Sequence, residues 1–71
     1  MPEPDMQSVY STNVNAIGYD AENSELYVEW NSGKISIYSG VPEDVAESVK
    51  KAPSVGTAMR DIKAEYRHRY A

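Results

Sequence analysis

With 71 residues, no repeat and no cysteine, the chain has room for one small domain and none for a disulfide, a thiolate metal site or a cysteine nucleophile. Its net charge of −4 is unevenly spread: residues 1 to 49 carry Lys34 against nine acids, whereas residues 50 to 71 carry six bases against Asp61 and Glu65. A uniformly basic polyanion binder is excluded, and the C-terminal segment either meets a polyanion or neutralises the acidic body of the same protein.

Residues 1–8, with Pro2, Glu3, Pro4 and Asp5, read as a flexible lead-in, and residues 9–71 as a single domain. Three runs then alternate with period two: Ile17-Gly18-Tyr19-Asp20, Leu26-Tyr27-Val28-Glu29-Trp30 and Ile35-Ser36-Ile37-Tyr38. The first turn, Ala21-Glu22-Asn23-Ser24, sets Tyr19 against Leu26 and Ile17 against Val28. A two-residue turn at Ser32-Gly33 would set Trp30 against Ile35 and Val28 against Ile37. On that register the inner face holds Ile17, Tyr19, Leu26, Val28, Trp30, Ile35 and Ile37. The outer face holds Ala16, Gly18, Tyr27, Glu29, Ser36 and Tyr38, with Tyr27 across from Tyr38.

After Tyr38 the period becomes helical. Pro42, then Glu43 and Asp44, open a helix whose stripe is Val45, Ala46, Val49 and Ala52, and Pro53 stops it. Ser54 caps a second helix, with Val55, Ala58, Met59, Ile62, Tyr66 and Tyr70 on one face and Arg60, Lys63 and Arg67 on another. The expected fold is α+β: a three-stranded antiparallel β-meander followed by two α-helices packed on one face of the sheet.

No catalytic constellation stands out, so the chain does not read as an enzyme. His68 is the lone histidine, read as a solvated residue at a helix end. Asp20, Glu22 and Glu25 crowd the first turn without the order of a calcium loop, and solubility of the turn accounts for them. Ser54-Val55-Gly56-Thr57 offers backbone N–H groups at a helix start that would take an anion only weakly. No cofactor, metal or small-molecule substrate is implied. No apolar run approaches the ~20 residues of a membrane span, and the first residues lack the pattern of a signal peptide. The expectation is a cytoplasmic protein that does not engage a membrane.

The residues Ser11-Thr12-Asn13-Val14, Ile17-Gly18-Tyr19-Asp20, Leu26-x-Val28-x-Trp30-x-Ser32-Gly33, Val41-Pro42, Ala52-x-Ser54-x-Gly56 and Ile62-Lys63 with Tyr66 together resemble the KTSC domain. That short module is named for its occurrence at the C-terminus of some lysyl-tRNA synthetases and also stands alone in bacteria. The resemblance covers about Ser11 to Tyr66. It implies a Tyr-x-Tyr pair in the third strand, where this chain reads Ser36-Ile37-Tyr38, and aromatic residues after the glycine matched by Gly56, where it reads Thr57-Ala58-Met59. It also implies RNA binding, by the synthetase context.

On the register above, Tyr27, Tyr38 and Ser36 form a surface turned away from the helices, and Arg60, Lys63, Arg67 and Arg69 are the cations nearest the C-terminus. The expectation is a small non-catalytic binding module. Its partner is a protein or a second copy, through two open strand edges and a flat tyrosine face; the alternative is RNA, with Tyr27 and Tyr38 as stacking platform and the basic helix meeting phosphates.

Overall fold

The computed structural model describes residues 5–9 and 11–71. Met1–Pro4 of the expected lead-in, and Tyr10, lie outside the described residues. The rest forms an α+β fold with two helices and an antiparallel sheet of five strands, rather than three. In chain order these are β1 (Gln7–Ser8), β2 (Val14–Asp20), β3 (Glu25–Trp30), β4 (Ile35–Ser39), α1 (Glu43–Lys51), α2 (Val55–Glu65) and β5 (His68–Tyr70). Neighbours in the sheet follow that same order, β1 to β5.

The first hairpin pairs as its alternation requires, with Ile17 opposite Val28, Gly18 opposite Tyr27 and Tyr19 opposite Leu26. Asp20 builds the turn: one carboxylate oxygen accepts from the backbone N–H of Glu22 at 3.1 Å and of Asn23 at 3.3 Å, the other from the Asn23 amide at 2.8 Å. Nearer the strand's start, a bulge between Val14 and Ala16 lets Val14 face Trp30 while Ala16 faces Glu29.

The second hairpin departs from the expected register. Its loop has three residues, Asn31-Ser32-Gly33, because the Gly33 N–H donates to the Trp30 carbonyl at 2.9 Å and the Trp30 N–H to the Lys34 carbonyl at 2.8 Å. Gly33, at φ +93°, takes the left-handed slot that closes a three-residue hairpin loop. The one extra loop residue turns all of β4 over. Val28 now faces Ser36, Leu26 faces Tyr38, Tyr27 faces Ile37 and Glu29 faces Ile35. Ser36 and Tyr38 therefore point inward, 2% and 1% exposed, and the predicted outer pair of Tyr27 with Tyr38 does not exist.

The expected open edges are also occupied in part. Gln7–Ser8, read from the sequence as lead-in, pair with Ile17 and Ala16 on β2. His68–Tyr70 pair with Tyr38, Ile37 and Ser36 on β4. The second helix thus ends at Glu65, with Tyr66 at its C-cap in extended conformation, and does not carry its stripe to Tyr70. His68 is a strand residue, not a helix-end one.

Both helices cover the inner face. Ala46 and Val49 of α1, and Val55, Met59 and Ile62 of α2, bury against Val14, Ile17, Leu26, Val28, Tyr38 and Val41. Ser54 caps α2, its hydroxyl oxygen accepting from the Thr57 N–H at 3.4 Å. Tyr19 locks the approach to α1 by donating its phenol to the Val41 carbonyl at 2.6 Å. No helix among the described residues is long and apolar enough to cross a membrane.

Candidate functional site

An inner face wider than two helices can cover leaves one corner of the sheet open. There, at the ends of β3, β4 and β5 beside α2, a cleft of about 390 Å³ is lined by Trp30, Ser32, Lys34, Ser36, Tyr38, Lys63, His68 and Tyr70. A second, shallower hollow runs on over Trp30 to Asn13 and Asn31.

Each side chain reaches the cleft for a local reason. Trp30 ends β3 on the inner face and is only partly covered, so its ring forms a wall while its indole N–H donates to the Ser36 hydroxyl at 2.8 Å. Ser36, buried by the turned-over register, is thereby satisfied. Tyr38 forms the floor. His68 and Tyr70 arrive by the alternation of β5, opposite Tyr38 and Ser36. The His68 ring lies 5.3 Å from Tyr38, tilted by 37°, and meets Tyr70 edge-on at 5.4 Å and 83°.

Two ammonium groups complete the set. Lys63 of α2 stands 4.7 Å from the centre of the Trp30 ring, and Lys34, next to the hairpin loop, 5.8 Å from that of Tyr70. No carboxylate is among the lining residues described. Burial first, and the neighbouring Tyr70 second, push the Tyr38 phenol above its ordinary value, with Ser36 acting weakly the other way. Tyr38 is therefore a neutral floor under a positively charged rim. Among the described lining residues the side-chain hydrogen bond is that of Trp30 to Ser36, and none pairs a hydroxyl with the His68 imidazole.

Of the residues picked from the sequence, Ser36, Tyr38 and Lys63 meet here. Tyr27 lies on the opposite face of the sheet, half-buried beside Ile37. Arg60 is exposed on α2 away from the cleft, and Arg67 is exposed in the link to β5, its carbonyl accepting from the Ser39 N–H. Arg69 alternates to the outer face, where it pairs with Glu25 at 2.8 Å. Sequence reading missed Trp30, Lys34, His68 and Tyr70 as site residues. Three residues are too few to show a period, and Tyr66 and Tyr70 fit a continued helix as well as a strand.

A five-stranded antiparallel sheet backed by two helices, with an aromatic and basic corner where the last strand returns, defines a small α+β domain. The match of residues 10–68 to the KTSC domain model places the chain in the KTSC domain family. It is similar to the crystal structure of a KTSC domain protein from Yersinia pestis, at 29% identity and a TM-score of 0.89, over 94% of this chain and 96% of that one. It is also 30% identical over 63 residues to an uncharacterised protein of Stutzerimonas stutzeri strain A1501, which covers 89% of each.

Proposed function

We propose that this KTSC domain is a non-catalytic binding module that holds a short single-stranded RNA segment in the cleft between α2 and β5. One observation carries the reading: four rings, Trp30, Tyr38, His68 and Tyr70, and two ammonium groups, Lys34 and Lys63, converge on one concave surface lined by no carboxylate among the described residues. Recognition of unpaired RNA needs rings for bases to stack on and cations within reach of the adjoining phosphates. Tyr70, 63% exposed, and His68 supply the accessible ring surface. Lys34 and Lys63 stand on either side.

The acidic balance of the chain weakens this attraction without cancelling it. At physiological salt a charge is screened beyond ~8 Å, so the groups lining the cleft count for more than the distant acids. Association with a protein or a second copy, the other expectation from the sequence, drew on two open edges that β1 and β5 now partly fill.

Titration of a labelled ten-nucleotide oligouridine by fluorescence anisotropy tests the proposal. Two phosphate contacts predict a slope of about −1.4 in log affinity against log salt. Lys63→Glu and Lys34→Glu should each weaken binding and flatten that slope. Tyr70→Ala should weaken it by ~1 to 3 kcal/mol, the range for one stacked base. Binding that ignores both salt and these three substitutions, or none at micromolar protein, overturns it.

A further inference from the structure

The strand that completes the cleft is a weakly anchored one. β5 has three residues, none of them buried, so little packing holds it to the sheet. Its backbone register is bracketed by the Ser39 N–H donating to the Arg67 carbonyl and the Ala71 N–H to the Ile35 carbonyl, each at 3.0 Å. On the cleft side the described contacts of its side chains are those of His68 with Tyr38 and Tyr70, and of the Lys34 ammonium with the Tyr70 ring. On the far side, Arg69 reaches across Ser39 to Glu25 at 2.8 Å, two strands away, and its other terminal nitrogen donates to the Ser39 hydroxyl at 3.4 Å.

The Glu25 carboxylate is only 16% exposed, whereas the Arg69 guanidinium that reaches it is 55% exposed, so the pair is shielded from water on one side alone. Its register neighbour on β2 is the acidic Asp20, and among the described residues Arg69 is the cation that pairs with Glu25. β3, β4 and β5 are thus tied from behind.

We infer that the Glu25–Arg69 pair is a latch: from the outer face it holds β5 docked, and so keeps His68 and Tyr70 in the wall of a cleft that neither latch residue touches. Arg69 is on this account a positioning residue. It binds no RNA itself. The link to affinity rests on the RNA reading above; the docking of β5 does not.

Two measurements on the full chain separate these. Glu25→Gln should speed hydrogen exchange of the Ala71 amide by roughly two- to fivefold, the scale of a single ion pair of this kind. It should weaken oligouridine binding by a similar factor. Removing an acid from a chain that binds a polyanion would by Coulomb's law alone tighten binding, so the two accounts differ in sign. The double variant Glu25→Arg with Arg69→Glu keeps the net charge and should restore both quantities. Unchanged Ala71 exchange in Glu25→Gln overturns the latch. Faster exchange with equal or tighter binding overturns its connection to the cleft. A wild-type chain that binds no oligouridine removes the RNA reading, and exchange alone then decides the latch.

Discussion

The indole N–H of Trp30 donates to the hydroxyl oxygen of Ser36 across 2.8 Å, linking the end of one strand to the middle of the next. This bond exists only because the Asn31-Ser32-Gly33 loop turns β4 inward, and it satisfies a polar group that would otherwise be buried without a partner. Ser36→Ala should therefore destabilise the domain by about 1 to 2 kcal/mol, since the indole donor loses its acceptor. Urea unfolding followed by circular dichroism measures it. An unchanged midpoint would mean that water replaces the hydroxyl without loss.

Tyr38 and Tyr27 sit on opposite faces, and truncating them should separate sharply. Tyr38, 1% exposed among Leu26, Val41 and the helices, should lose ~3 to 5 kcal/mol on substitution by alanine, enough to unfold much of so small a domain. Tyr27→Ala should lose about 1 kcal/mol, the scale of a cross-strand contact, and leave oligouridine affinity unchanged. Equal losses in the two variants would contradict the inward turn of β4.

A second consequence of that burial is alkaline sensitivity. The Tyr38 phenol titrates above its ordinary value of 10.0, so the folded state holds the proton more tightly than the unfolded state does. Its contribution is complete below pH 10 and falls away as pH rises through the folded-state value. Unfolding free energy of the wild type should then drop more steeply above pH 10 than that of Tyr38→Phe. Parallel curves would show that the phenol does not ionise on unfolding in the way its burial requires.

On the acid side the first turn contributes through Asp20. Hydrogen bonds to the Asp20 carboxylate, the Asn23 side-chain amide foremost, hold it below its ordinary value of 3.8. The stability it adds is present above that value and is lost as pH falls through the lower folded-state value. Wild type should lose stability below pH 4 more than Asp20→Asn does, a difference readable from urea midpoints at pH 2 to 5.

Those same two turns explain what could be read from residues alone. At the first hairpin, the spacing of Tyr19 and Leu26 around Asp20 to Ser24 left one register in which both strands bury their apolar set, and that register is the one observed. At the second, a glycine at position 33 serves a two-residue or a three-residue loop equally well. Alternation then favoured burying Ile35 and Ile37 against the helices; Ile37 is instead buried on the outer face, 5% exposed between Tyr27 and Arg69, and Ser36, turned inward, finds its partner in Trp30. A polar residue buried by one specific bond is invisible to a pattern of apolar and polar letters. The site was half hidden for a related reason: β5 is three residues long, too short to show a period, and it brings His68 and Tyr70 to Tyr38 and Ser36, far earlier in the chain.

Trp30 is the one tryptophan in the chain and stands in the cleft wall, so its emission reports occupancy of that surface directly. Adding oligouridine to the wild-type protein should change Trp30 fluorescence saturably, with the same midpoint as the anisotropy titration, and Tyr70→Ala should shift both midpoints upward together. Anisotropy that rises to saturation while Trp30 emission stays constant would place the RNA elsewhere on the molecule and contradict the account.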